Sequence, residues 1–203
     1  YFLRPGDTTV PILYSVDRIR DGKSFTTRRV VAIQHGEAIF SMSVSFQVLE
    51  SGLEHQSDKP DVPPPESCLS QQELREKYAA SIPQHMTKQV NQSQPIEMRY
   101  VEPINEFDPE PHPPFQHVWI KTVDEMPEDV RLNQCLLAYA SDMTLLDTSY
   151  RPHGLGSRAK NFQVASLDHA MWFHKSFRTD KWMLYQQDSP FSGGARGFTR
   201  GTI

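Results

Sequence analysis

From Pro11 to Gln47 apolar and polar residues alternate with a period of two, and the alternation breaks only at Asp21-Gly22 and His35-Gly36. Period two is the strand repeat, because successive side chains leave a strand on opposite faces. The pattern predicts three strands, the last two closed into a hairpin at His35-Gly36. Phe25, Thr27, Arg29 and Val31 share one face, and Thr26, Arg28, Val30 and Ala32 the other. Residues 115–122, FQHVWIKT, read as a further strand. PEDVRLNQCLLAYASDMTLL reads as a helix, with Pro127 in its first turn and Glu128 and Asp129 facing the positive end of its dipole. Cys135 to Ala140 are apolar all round, which predicts burial on most sides. The chain from 166 to 203 is expected to return to strands. Ser166, Asp168, Ala170, Trp172 and His174 would then line one face, and Leu167, His169, Met171 and Phe173 the other.

Prolines change the character of residues 50–114, where Pro63, Pro64, Pro65, Pro95, Pro103, Pro109, Pro111, Pro113 and Pro114 interrupt any long element. This stretch reads as a linker with one short helix around Ser70 to Ala80, because Ser70 and Glu73 have the spacing of a capping box. It separates residues 1–49 from 115–203. These flanks are related: advancing the first 29 residues by 171 lays Phe2 on Phe173, Leu13 on Leu184, Tyr14 on Tyr185, Asp17 on Asp188 and Arg29 on Arg200. The expectation is an α+β protein made of two copies of one unit, each with a buried helix and an antiparallel sheet. The helix of the first copy would precede Tyr1 and the last strands of the second would follow Ile203, so the chain reads as an internal piece of a longer protein.

Charge narrows the functional classes. A net charge of -4 without any basic block argues against non-specific nucleic-acid binding. No apolar run approaches the roughly 20 residues of a membrane span. Cys68 and Cys135 form no metal-binding pair and no disulfide framework, and they read as reduced structural thiols. The Gly-rich SGGARGFTR at 192–200 lacks the Lys-Ser/Thr of a phosphate loop, and its Arg196 and Arg200 read as solvated hairpin residues.

The remaining chemistry gathers in few places. Asp142 has Ala138, Tyr139, Leu145 and Leu146 as helical neighbours, which sets a carboxylate on an apolar stripe. Ser166 opens SLDHAMWFH, where a strand-start hydroxyl could meet a helix carboxylate or bond local backbone. Ser166, Asp168 and His169 do not make a hydrolase triad, since in a strand His169 faces away from Ser166. His169 and His174 likewise face opposite sides, so no metal is expected. GLGSRA at 154–159 has the wrong order for a nucleophile elbow. His112 and His117 flank a Pro-rich loop and read as surface residues.

YFLRPGD, RDGKSFTTRRVVAIQHGEAIF, SFQ, LLAYASD, SLDHAMWFH, WMLY and GGARGFTRG, in this order, closely resemble the acyl-CoA thioesterase II family, the double-hotdog thioesterases of bacteria and peroxisomes. The resemblance runs over nearly the whole chain and is weakest in the Pro-rich stretch. It implies a tandem hotdog, each long helix wrapped by an antiparallel sheet. It also implies hydrolysis of acyl-CoA to fatty acid and coenzyme A by a water that Asp142, Ser166 and a Gln hold, the Gln falling beyond Ile203. No cofactor or metal is implied. The partners implied are acyl-CoA and further copies of the protein, as a dimer or tetramer, in the cytoplasm of a bacterium or the peroxisome of a eukaryote. The competing readings are an inert acyl-CoA-binding or scaffold hotdog protein and an enoyl-CoA hydratase. The hydratase is disfavoured because no His follows Asp142 before His153.

Without a covering helix, Val30, Ile33, Ile39 and Phe46 would lose their apolar shield. The isolated 203-residue chain is therefore expected to self-associate or to lack a cooperative melt. Sedimentation checks this, and a monomer that melts cooperatively overturns it.

Overall fold

The computed structural model describes residues 1–87, 92–156, 159 and 162–203. Its strands form two antiparallel sheets. One contains β1 (Leu13–Asp21), β2 (Phe25–Gln34) and β3 (Glu37–Gln47) in that order. The other contains β4 (Ile96–Tyr100), β5 (Phe115–Thr122), β6 (Met183–Gly193) and β7 (Arg196–Thr202), also in sequence order. The chain divides into two compact units: Tyr1–Lys59 with Ala165–Ala170, and Pro60–Val164 with Met171–Ile203.

Two hairpins close on pairs of residues with positive φ, His35 (51°) with Gly36 (77°) and Gly194 (58°) with Ala195 (57°). Two consecutive positive φ angles are the mark of the type I′ turn, whose twist matches that of paired strands. The two sheets share a ladder feature. Asp17 pairs with Arg29 in β1–β2, and Asp188 pairs with Arg200 in β6–β7. The register then slips between Asp17 and Arg20 in one ladder and between Asp188 and Phe191 in the other. Both pairs and both slips coincide under the same shift of 171.

In the first unit Gln34 is buried and holds the loop before β1. Its side-chain amide donates to the Asp7 and Val10 carbonyls at 2.8 and 2.9 Å and accepts from the Asp7 N–H at 2.8 Å. Thr9, through its hydroxyl and backbone N–H, holds the Asp7 carboxyl at about 2. Of the four residues expected to lose cover, Phe46 is exposed, while Val30, Ile33 and Ile39 are half-buried. Residues 166–174 depart from the expected strand and carry no regular secondary structure. A strand exists only through its ladder, and this segment belongs to none; the Phe2 N–H donates to its Leu167 carbonyl (3.0 Å).

In the second unit the sheet carries α2 (Val130–Ser141) on its inner face, and α1 (Gln71–Lys77) lies earlier in the chain. The capping box of α1 forms as expected: Ser70 Oγ accepts from Glu73 N, and the Glu73 carboxylate accepts from Ser70 N. The Pro-rich stretch is more structured than a linker. Ile96–Tyr100 inside it becomes β4, with Ile96 and Met98 buried. Trp119 Nε1 donates to the Pro63 carbonyl at 2.9 Å and Arg99 to the Pro65 carbonyl at 3.0 Å, so prolines cover the outer face of β4 and β5.

The core comprises Ile96, Met98, Val118, Ile120, Leu137, Ala140 and Tyr185. Asp129 caps α2 by accepting from the backbone of Arg131 and Leu132. The helix is less buried than its all-apolar stretch predicts. Asn133, Leu137, Ala140 and Ser141 are buried, but Cys135, Ala138 and Tyr139 are exposed, because a sheet packs against only one face. Positions 171 residues apart differ accordingly: Tyr14 and Val16 in β1 are 60% and 58% exposed, whereas Tyr185 and Gln187 in β6 are 3% and 1% exposed.

Gly201 in β7 makes room for the Tyr185 ring, since a Cβ there would lie 2.2 Å from its Cε2 atom. Gly201→Ala should therefore cost about 1–3 kcal/mol, as overpacking does, read as a lower thermal midpoint. An unchanged midpoint would show that the ring has room to move.

Candidate active site

Two hydrogen-bonded anchors hold α2 to the second unit's sheet. Near its start, Asn133 Oδ1 accepts from Thr179 N and Oγ1 at 2.8 and 2.9 Å, and the Thr179 carbonyl accepts from Thr122 N at 2.7 Å. At its end, the Tyr185 hydroxyl donates to the Ser141 carbonyl at 2.9 Å. Helix carbonyls in the last turn lack an intrahelical donor, so this bond fills a vacant place. Asp142 is the C-cap, and its own N–H bonds the Ala140 carbonyl.

Asp142 is exposed rather than buried within the helix. It stands three, four and seven residues after Tyr139, Ala138 and Cys135, so it ends the exposed apolar stripe of α2. Burial and, second, the Asp142 charge push the Tyr185 phenol well above its ordinary value. Tyr185 therefore stays protonated and acts as a donor.

Ser166 is half-buried and belongs to the first unit, whereas Asp142 belongs to the second. Asp168 is exposed and His169 half-buried in the same segment as Ser166, and His174 is exposed in the second unit. Cys68 is buried and Cys135 exposed, both as free thiols. Arg200 pairs with Asp188, Nε to Oδ1 at 3.0 Å. Ser157 and Arg158 of the 154–159 stretch lie outside the described residues. His117 is not a free surface residue: its Nδ1 shares a hydrogen bond with Glu102 Oε1 at 2.9 Å.

Beyond α2 the inner face of the sheet turns polar. Gln116 Nε2 donates to Gln187 Oε1 (2.8 Å) and to the Thr144 carbonyl (3.0 Å). Gln187 Nε2 donates to Thr144 Oγ1 (2.6 Å), and Arg151 Nη1 to Gln116 Oε1 (3.0 Å). All four residues are buried. Burial pulls the Arg151 guanidinium below its ordinary value, opposed by the charges of Glu102 and Asp147. These residues lock the turns that follow Asp142, a role not foreseen from the pattern. The signal was present in phase: Gln116 stands two before Val118, and Gln187 two after Tyr185, each on the buried side of its strand.

Asp147, five residues after Asp142, accepts a hydrogen bond from the Tyr150 hydroxyl. Burial raises its carboxyl to about 7 from an ordinary 3.8, although the Tyr150 bond pulls the other way. A raised carboxyl binds its proton more tightly in the folded state. Its contribution to stability is full below about 3.8 and is lost as the pH rises through about 7.

Two family models match the chain: "Acyl-CoA thioesterase" over residues 87–203 and "Acyl-CoA thioesterase N-terminal domain" over residues 1–47. Acyl-coenzyme A thioesterase 8 of Mus musculus is 42% identical over 211 residues, covering 100% of this chain, which spans 65% of that relative's length. The crystal structure of an acyl-CoA thioesterase II from Mycobacterium marinum superposes with a TM-score of 0.77 at 41% identity, over 99% of this chain and 70% of that one. A protein with a hot dog fold from Alicyclobacillus acidocaldarius gives a TM-score of 0.65 at 14% identity, over 98% of this chain and 68% of that one. That last likeness bears on the fold alone: α+β, hotdog, with antiparallel sheets.

Asp147→Asn keeps an acceptor for Tyr150 and removes the titrating proton. Urea midpoints of the parent should fall between about pH 4 and about pH 7, and those of the variant should change less over this range. Equal pH dependence in both would exclude Asp147 as the source.

Proposed function

The chain belongs to the acyl-CoA thioesterase family, and we propose that it forms part of an enzyme that hydrolyses acyl-CoA thioesters to a free acid and coenzyme A. The observation that carries this reading is the position of Asp142, an exposed carboxylate at the end of a helix whose exposed stripe is apolar. A thioester with an apolar acyl chain needs that combination: surface for the chain and a base beside the carbonyl.

In this mechanism Asp142, Ser166 and a Gln beyond Ile203 hydrogen-bond one water. Asp142 takes its proton as the oxygen attacks the thioester carbonyl carbon. Backbone N–H groups stabilise the tetrahedral oxyanion. Collapse breaks the C–S bond, and the leaving thiolate of coenzyme A takes the proton back from Asp142. Ser166 orients the water and forms no acyl-enzyme, since a serine nucleophile needs an adjacent base.

The architecture proposed is a tandem hotdog: residues 1–49 close the first repeat, 50–114 link the repeats and lend β4 to the second sheet, and 115–203 belong to the second. The matching registers and slips of β1–β2 and β6–β7 support it. The assembly proposed is a dimer or tetramer, cytoplasmic in a bacterium and peroxisomal in a eukaryote. Among the described residues no helix is long and apolar enough to cross a membrane.

The test is coenzyme A release from palmitoyl-CoA by the full-length protein that carries this chain. Asp142→Asn should lower kcat by about 10²–10⁴. Ser166→Thr should stay active and Ser166→Ala should not. Full activity in Asp142→Asn would remove the base from the mechanism, and an acyl group trapped on Ser166 would replace the water mechanism with a covalent one. No release from short, medium or long acyl chains would leave a binding protein.

A further inference from the structure

We propose that Tyr185 is a positioning residue for the reaction, holding Asp142 in its working orientation through the carbonyl of Ser141. The inference rests on Asp142 being the general base. Its geometry is direct: the phenol donates at 2.9 Å to the carbonyl of the residue immediately before Asp142. That carbonyl and the Asp142 nitrogen lie in one rigid peptide plane. Holding the oxygen restrains the tilt of that plane, and with the Asp142 φ at −89° the plane sets the direction in which its Cα carries the side chain.

The phenol is itself held. Tyr185 is buried in the core cluster with Leu137 and Ala140 of the same helix, and its ladder partner in β5 is Val118. Gly201 of β7 leaves a notch for the ring, where a Cβ would stand 2.2 Å from Cε2 and 2.9 Å from the hydroxyl oxygen. The aromatic ring thus forms a strut from the sheet to the end of α2, and its hydroxyl is the point of attachment. A ring needed only for packing would do as well with phenylalanine. The corresponding residue of the first copy, Tyr14, is exposed, and among the described residues its unit contains no helix to brace.

The test is Tyr185→Phe, alone and combined with Asp142→Asn, in the full-length protein, with kcat and KM for palmitoyl-CoA. Tyr185→Phe should lower kcat by about tenfold to a hundredfold with KM unchanged within about twofold, because misplacing a reacting group slows chemistry more than binding. In the Asp142→Asn background the same change should cost nothing further, since the residue acts through Asp142. Leu137→Val, which loosens the same helix without touching the bond, should leave kcat within about twofold. Parent-like kcat in Tyr185→Phe overturns the inference, and so does an equal loss with and without Asp142 or an equal loss in Leu137→Val. Full activity in Asp142→Asn overturns the general-base reading itself, whatever Tyr185→Phe does.

Discussion

The second unit depends on α2 being held to its sheet by polar bonds at both ends. A helix with one buried face is free to slide along an apolar surface, because hydrophobic contact has no direction. Asn133 with Thr179 fixes one end and Tyr185 with Ser141 fixes the other, and hydrogen bonds do have direction. Between them Leu137 and Ala140 supply burial. The apolar contacts drive the helix onto the sheet, and the two anchors decide where along the sheet it stops.

The sheet's inner face is divided to suit. Ile96, Met98, Val118 and Ile120 make the apolar half, and Gln116 stands further along β5 beside its β6 partner Gln187, among Thr144, Thr148 and Arg151. Buried amides are costly unless paired, and here they bond one another and the backbone just after Asp142. Polar burial therefore ties the turn between Asp142 and Arg151 to the sheet at Thr144, Thr148 and Arg151.

Local rules were legible in the sequence wherever short-range physics decides the outcome. The β1 to β3 alternation, the His35-Gly36 turn and the Ser70–Glu73 capping box all depend on residues within a few positions of each other, whereas α2 begins at Val130 after its Asp129 cap and not with Pro127 in its first turn. Family motifs pointed to Asp142, and the helix cap gives that residue a defined place. What could not be read depends on partners distant in the chain. Leu167 and Met171 alternate like strand residues, but a ladder needs a neighbouring edge. Cys135 and Tyr139 look buried, but burial needs a second layer. Ile96–Tyr100 lay hidden between prolines, because its pairing partner Val118 to Thr122 comes some 20 residues later.

The shared slip in β1 and β6 has a mechanical consequence. An extra residue at one step of a ladder bends the strand that carries it and sharpens its twist, so each ladder turns at the same distance from its Asp–Arg pair. What hangs on that common backbone is free to differ: Tyr14 is a surface ring in one sheet, and Tyr185 is a strut from sheet to helix in the other.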